Sequence, residues 1–339
     1  DPARRIVVAS APGKRYDSDT KVTDLLLSCY DRAIRRRDFE PMLKRVEERF
    51  REILHDLDME FPLDEEIEEI RRHLKELPQR AYMASRGEYL NAQILAKFLG
   101  FTFVDPAWCV CFNDDDTLDS EMTRRAMKAA LRPLNKAVVA GFYGADSNEV
   151  IHTFSRGGSD ISGSLAAWAI GADLYENWTD VSGLLKADPR IVRDPAPVDY
   201  ISYKELRTLS YMGASVMHTD AVLPASLAEI PINIRNTNRP EDAGTMIVSS
   251  VPSDKKESLV SGVTGRTGMA VIQAEKVMAS DGSGFCAVLL DVLKRRNIPF
   301  EMCLTGIDTV TITLRSGLLA SCKKEVENEI IERLNPDRL

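Results

Sequence analysis

Between Phe154 and Arg190 the chain reads FSRGGSDISGSLAAWAIGADLYENWTDVSGLLKADPR, and this stretch gathers the residue types that could do chemistry. Ser155-Arg156-Gly157-Gly158-Ser159-Asp160 places a cation, a carboxylate and two hydroxyls around two glycines. Without a Cβ, those glycines let backbone approach a ligand closely and adopt positive φ. The small and apolar run Ile161 to Ile170 predicts a buried helix. Free N–H groups at a helix start, backed by its dipole, favour an anion such as phosphate. Thr179-Asp180-Val181-Ser182-Gly183 is a second turn, and Ala187-Asp188-Pro189-Arg190 is a third in which Pro189 presents Asp188 and Arg190. The chain has neither G-x-x-x-x-G-K-[ST] nor G-x-G-x-x-G, which sets aside the P-loop and the dinucleotide fingerprint. Singly, each turn reads as a plain loop. Their order is the signal.

These turns need a sheet to carry them. Arg5–Ser10 (RIVVAS) predicts a short buried strand, with Ala11-Pro12-Gly13-Lys14-Arg15 at its carboxyl end, where open α/β sheets place ligands. Asp19–Asp24 leads into a helix through Leu25–Leu27, with Thr23 as a candidate N-cap. Phe39, Leu43, Val46, Phe50, Ile53 and Leu57, then Ile67, Ile70, Leu74 and Leu77, recur at helical spacing. They predict two amphipathic helices, the second capped by Asp64 and followed by Pro78, with solvated charged faces. Another helix opens at Ala84-Ser85-Arg86-Gly87-Glu88-Tyr89 and runs to about Leu99, so Glu88 would complement its dipole. Phe101–Val104, Ala137–Phe142, Glu149–Phe154 and Ile232–Asn236 predict strands, and Tyr203–Leu206 a helix. Asp114-Asp115-Asp116 reads as loop rather than metal site, since neighbours in an extended segment point alternate ways. His218 reads as structural. From Gly262 the pattern becomes strand Met269–Val277, helix Gly284–Arg296, strands Phe300–Leu304 and Val310–Leu314, and helix Ala320–Leu334. That order lacks one strand of a ferredoxin-like βαββαβ unit.

The composition of the 339-residue chain, 44 % hydrophobic and 28 % charged, is that of a globular protein long enough for a large and a small domain. A net charge of −8 argues against a nucleic-acid partner, and no apolar run is long enough to span a bilayer. The six cysteines are scattered; Cys109 and Cys111 fall on one side of an expected strand, and none is spaced for zinc. They read as reduced thiols in a cytoplasmic protein. Asn177-Trp178-Thr179 is a glycosylation sequon without meaning in that setting. No signal peptide opens the sequence, and a first residue other than methionine leads to the expectation that the natural chain starts upstream.

The ordered pair RGGSD-then-helix and WTDVSG…ADPR resembles the amino-acid kinase family, and within it the aspartate kinases. The resemblance extends from Arg5 onward and includes the small-Gly-Glu segment at Gly87-Glu88 and a Gly-Phe-x-Gly turn at Gly141–Gly144. It implies a three-layer αβα fold with a mostly parallel central sheet over 1–250, with a helical insertion at about 31–80. A truncated ACT regulatory domain would follow over 251–339. The reaction implied is phosphoryl transfer from ATP, with Mg2+, to the β-carboxylate of L-aspartate, the first step towards lysine, threonine and methionine. By resemblance, Ser10, Thr23, Glu88, Arg156 and Ser159 bind aspartate, Glu88 through its ammonium, while Arg156 and Asp160 serve catalysis. Gly157, Gly158, Thr179, Asp180 and Arg190 hold nucleotide. Ser283, Gly284, Phe285 and Glu301 bind an effector amino acid, lysine or threonine, in a homodimer or larger assembly.

Three departures stand out. The family's lysine before Phe-Gly-Gly is not in this sequence and is expected upstream, Lys14 being in the wrong loop to replace it. Leu185 stands for a tyrosine, and Ser215 for a lysine. The alternatives are another amino-acid kinase, or a non-catalytic amino-acid sensor on the same fold. The sequence leaves open which effector acts and whether a second ACT module or a homoserine dehydrogenase follows.

Overall fold

The structure, a computed structural model, describes residues 3–155, 157–213, 217, 219–255, 260–278 and 284–339. It divides into two compact units, Asp1–Thr264 and Gly265–Leu339.

In the first unit, β1 (Ile6–Ala9) is followed by α1 (Val22–Ile34), α2 (Glu40–Asp56), α3 (Leu63–Glu76), α4 (Arg80–Leu99) and β2 (Thr102–Val104). Next come α5 (Ser120–Leu131), β3 (Ala137–Ala140), β4 (Tyr143–Ala145), β5 (Ile151–Thr153) and α6 (Gly158–Ile170). The unit continues through β6 (Tyr175–Thr179), β7 (Tyr200–Ser202), α7 (Tyr203–Tyr211), α8 (Thr219–Leu227), β8 (Ile232–Asn236) and β9 (Thr245–Val248). Strands β1, β3 and β2 pair in parallel with β3 central, and all four β3 side chains are fully buried. A parallel strand covered on both faces demands such an unbroken apolar run. Ala137 and Val139 join a core with Leu165 and Ala166 of α6, whereas Val138 and Ala140 join Ala92 and Ala96 of α4. Alternation along one strand therefore builds the helix–sheet–helix layering. A second sheet, ordered β6-β8-β9-β7, is parallel in two of its three pairings.

The helical insertion has its own core. Leu43, Val46 and Phe50 of α2 and Ile67, Ile70 and Leu74 of α3 pack with Leu25 and Leu26 of α1 and Leu90 and Ile94 of α4. Leu54, not the neighbouring Ile53, completes the buried stripe of α2, and Leu77 is exposed because α3 ends at Glu76.

In the second unit, β10 (Met269–Glu275), α9 (Phe285–Arg295), β11 (Met302–Thr305), β12 (Thr309–Arg315), α10 (Ser316–Leu319) and α11 (Lys323–Leu334) give an antiparallel sheet ordered β10-β12-β11. Leu289, Val292 and Leu293 of α9 and Val326 and Ile330 of α11 cover it. On the free edge of β10, the Glu275 N–H donates to the Arg338 carbonyl at 2.8 Å in antiparallel pairing. That edge is where the fourth strand of a βαββαβ unit belongs.

Several local expectations are corrected. The N-cap of α3 is Pro62; Asp64 lies in the first turn and pairs with Arg51. Lys21 precedes α1, so Thr23 is inside the helix rather than capping it. Helix α4 begins four residues early, at Arg80, which moves Glu88 from a first turn to mid-helix and removes the dipole reading of it. Cys109 follows a 3-10 turn at Pro106–Trp108 instead of lying on a strand. Strands β3 and β5 are shorter than expected, and α5, α8, β7 and β9 are additions.

Candidate functional site

The site is built where β1 and β3 end. The Gly141 N–H donates to the Ala9 carbonyl at 2.9 Å, which joins the two strand ends. Gly141 also lies against the start of α6, where a Cβ on it would stand 2.6 Å from Ser159 Oγ. Gly157 precedes α6 with φ of 58°, a left-handed conformation that costs glycine little. A Cβ on Gly158 would come within 2.5 Å of the Phe142 ring. The first helical residue is Gly158, so Ser159 and Asp160 belong to the opening turn of α6 and not to the loop before it.

Phe142 has φ of 79°, a conformation that costs a bulky residue about 1–3 kcal/mol. Two hydrogen bonds hold it: its N–H donates to Ser162 Oγ at 3.0 Å, and its carbonyl accepts from the Phe154 N–H at 3.0 Å. This strained turn locks the end of β3 to the segment that delivers Ser155–Asp160.

Helix α4 passes beside the same strand ends. A Cβ on Gly87 would lie 2.8 Å from Ala11 Cβ and 3.3 Å from Val22 Cγ1. The β1–α1 loop, the start of α1 and α4 thus touch at a point where any larger residue would separate them. Ser10, Thr23 and Glu88 are carried by those three segments. Asn91 Nδ2 donates to the Ser10 carbonyl at 2.7 Å, and the Ala11 backbone beside Glu88 favours its ionised form.

Glu88 is only 6 % exposed, and its Oε2 has no partner among the described residues. Burial pushes its carboxyl up to about 7, against the opposing pull of backbone N–H groups and the nearby Arg86 cation. Arg86 itself is buried between Tyr82 and Tyr89, 4.3 and 4.2 Å from their ring centres. A desolvated carboxylate with one free oxygen is a receptor for a cationic donor, and a primary ammonium fits it.

On the other flank, Asn177 Nδ2 donates to Asp160 Oδ1 at 3.0 Å and Tyr175 Oη donates to the Asp160 carbonyl at 3.1 Å. Strand β6 thereby orients the start of α6. Thr179 ends β6, and its hydroxyl donates to Asp180 at 3.1 Å. Arg190 is exposed and makes a forked pair with Asp188 at 2.7 Å, so the two residues the Pro189 turn was expected to present are engaged with each other. Gly183 and Gly244 both have positive φ, and a Cβ on Gly183 would meet Thr245 Oγ1 at 2.4 Å, which fixes the loop after Asp180 against β9.

Arg156 and Ser283 lie outside the described residues, as do Ser215 and His218. Gly284, with φ of 126°, and Phe285 open α9 in the second unit, where Glu301 accepts hydrogen bonds from Arg266 and Arg315. Among the described residues no three His, Cys, Asp or Glu side chains are grouped to hold a metal ion. Of the acidic triplet, Asp116 pairs with His152.

Three residues that serve this geometry escaped the sequence reading. Asn177, noted only as part of a sequon, is a buried amide in a strand, and its position between Tyr175 and Thr179 was the available signal. Asn91 stands three residues after Glu88 on the same helix, the spacing of neighbours on one face. Phe142 gave none, because nothing in its type announces a positive φ.

A model of the amino acid kinase family matches residues 4–236. Aspartokinase 3 of Bacillus subtilis is 34 % identical over 357 aligned positions that cover 100 % of this chain and 78 % of that protein. The lysine-sensitive aspartokinase 3 of Escherichia coli is 26 % identical, over 74 % of this chain and 60 % of its own length. Among solved structures, the aspartate kinase of Clostridium acetobutylicum superposes with a TM-score of 0.89 at 39 % identity, covering 99 % of this chain and 77 % of that one. With the parallel sheet, the glycine-opened helix and the buried glutamate in place, these matches establish that the chain belongs to the amino acid kinase family.

Proposed function

We propose that the protein is an ATP-dependent aspartate kinase, which transfers a phosphoryl group from ATP to the β-carboxylate of L-aspartate and yields 4-phospho-L-aspartate. The observation that carries the amino-acid half of this reading is Glu88, a buried carboxylate with an unsatisfied oxygen. The α-ammonium of aspartate completes it. Ser10, Thr23 and Ser159 surround the remaining polar groups of the substrate, and Arg156 pairs with a carboxylate.

The β-carboxylate of free aspartate is ionised at neutral pH, so the nucleophile needs no general base. The work left to the protein is to align two anions and neutralise the transferring phosphoryl. The amides of Gly157 and Gly158 and the dipole of the 13-residue α6 favour the phosphates. Asp160, fixed by Asn177, orients the transfer machinery. Thr179, Asp180 and Arg190 hold the nucleotide, for which Arg190 exchanges Asp188 for phosphate. Mg2+, bound with the nucleotide, would neutralise phosphate charge.

The second unit is an ACT-type regulatory module in this reading. Gly284 and Phe285 at the start of α9, with Ser283, receive the carboxylate of an effector amino acid. Its ammonium shares Glu301 with Arg266 and Arg315. Lysine is the effector favoured, since one relative is named for sensitivity to it. The assembly is a cytoplasmic homodimer or larger oligomer, and sedimentation as a monomer at every concentration, with and without lysine, removes that part.

The activity is tested by incubating the full-length protein with Mg-ATP, aspartate and hydroxylamine. Aspartyl hydroxamate is expected, in an amount that falls when lysine is added. Absence of product from protein that still binds ATP overturns the assignment.

A further inference from the structure

The sequence assigned no chemistry to the helical insertion, yet α2 grips the loop that leads out of β1. Asp19, 8 % exposed, is the centre of that grip. It accepts from the Arg15 N–H at 3.1 Å, from Arg15 Nε at 2.9 Å and from the Thr20 N–H at 2.9 Å. Arg49 of α2 approaches the same carboxylate at 3.5 Å and donates its other nitrogen to the Gly13 carbonyl at 2.8 Å. Arg45 donates to Thr20 Oγ1 at 3.2 Å, and Glu52 pairs with Arg15. Three consecutive turns of α2 are therefore fastened to both ends of the segment Gly13–Thr20.

At its inner end, the same loop is held against α4, where Asn91 Nδ2 donates to the Ser10 carbonyl and Ala11 packs at Gly87, next to Glu88. No strand or helix spans Ser10 to Lys21. An unfastened loop of that length samples many conformations, and the apparent affinity of a ligand drops by the fraction of time the competent one is populated. In the Arg49–Asp19 pair both side chains are largely covered, 12 % and 6 % exposed, so it is screened less than a surface pair.

We propose that Asp19 and Arg49 are positioning residues for the amino-acid substrate. Through Gly13 and Thr20 they hold the β1–α1 loop so that Ser10 and Ala11 stay seated on α4 beside Glu88. Neither residue touches the substrate. The inference rests on the reading in which that pocket takes aspartate, and it gives the helical insertion a part in the reaction. Arg15, pinned by Asp19 and Glu52, belongs to the clamp and not to the phosphate site.

The test is Arg49→Ala and Asp19→Ala in the full-length enzyme, with Arg49→Lys as the conservative variant. Each alanine is expected to raise KM for aspartate about 5- to 30-fold, with kcat within twofold and KM for ATP unchanged. The double variant is expected to be no worse than the poorer single one, because both act through one contact. Arg49→Lys keeps the charge opposite Asp19 but loses the second bond to Gly13, so its KM falls between. A general loss of structure would instead move kcat, both KM values and Tm together.

Hydrogen exchange of the amides between Ala11 and Thr20 needs no substrate and is expected to accelerate in both alanine variants. Unchanged exchange, or an aspartate KM within twofold of the parent enzyme, overturns the proposal. Lack of hydroxamate from the parent enzyme overturns the aspartate reading instead, and accelerated exchange would then still establish the clamp.

Discussion

The two flanks of the candidate site hold their charges in opposite ways. On the amino-acid flank, Glu88 is buried and one of its oxygens has no partner among the described residues. On the proposed nucleotide flank, Arg190 is 85 % exposed at its side chain and already paired with Asp188, whose carboxyl that cation holds down at about 2. The first flank carries its electrostatic cost in the free protein and is relieved by the ligand. The second is satisfied in the free protein and must exchange one anion for another. A charge pair completed in a dry pocket is strong, and one exchanged in water is weak. In the proposed reading, discrimination between amino acids belongs to the buried flank, and the exposed flank contributes phosphate affinity with little selectivity.

Removing the buried carboxylate breaks this contrast most directly. Glu88→Ala is expected to raise KM for aspartate by about 100-fold or more, the scale on which truncating one partner of a buried charge pair acts, while KM for ATP stays within threefold. Steady-state kinetics with each substrate varied in turn decides it, and equal changes in the two constants would deny Glu88 its role.

The pH dependence sharpens the same point. Aspartate needs the ionised carboxylate, so KM for aspartate should fall as pH rises through about 7 and flatten above it. Glu88→Gln should erase that dependence. Stability has the opposite sign. The folded-state pKa stands above the ordinary value of 4.5, so folding takes up a proton between 4.5 and about 7. Stability from this group is full below that window and is lost as pH rises through it, by about 3 kcal/mol in all. Denaturant titrations of the parent and Glu88→Gln proteins at pH 5 and pH 8 should differ by that trend, and parallel curves would place the titration elsewhere.

Between the flanks, Gly158→Ala forces a methyl to within 3.0 Å of Phe142 Cα and into its ring. Overpacking of this kind costs roughly 1–3 kcal/mol, and here it also shifts the start of α6. A lower Tm with reduced kcat is expected; a variant with unaltered kcat would detach the tight packing from the chemistry. The smallest effect is assigned to Arg190→Ala. KM for ATP should rise roughly 3- to 10-fold, with aspartate KM and Tm unmoved because the side chain is exposed.

The legible parts of the sequence were those in which local pattern and tertiary demand agree. The RGGSD turn announced a glycine-opened helix, and the apolar runs of β3 and β8 announced buried strands, whereas β1, also expected buried, is half-buried except at Ala9. The stripes of α2 and α3 were legible because one face of each helix meets a core. α5 was legible in principle, since Asp119 caps it by accepting from the Met122 N–H and Thr123, Met127 and Leu131 recur at fourfold spacing along its buried face. β7 and β9 were not, because three- and four-residue strands carry too few alternations to stand out from a loop.

Residue identity by itself determined which groups are present: a carboxylate after glycine, hydroxyls at the loop ends, a cation and a carboxylate around two glycines. It also fixed the order of elements that carries them, since periodicity and turn chemistry act over neighbouring residues. Only the tertiary structure decided the state of those groups. Glu88 is a buried acid shifted to about 7 because α4 starts a full turn earlier than its local signals suggest and lies under the β1–α1 loop. Asp160 is oriented because Asn177, seventeen residues away, faces it from β6. Charge, desolvation and strain depend on what the chain brings together from a distance, and no window of neighbouring residues contains that information.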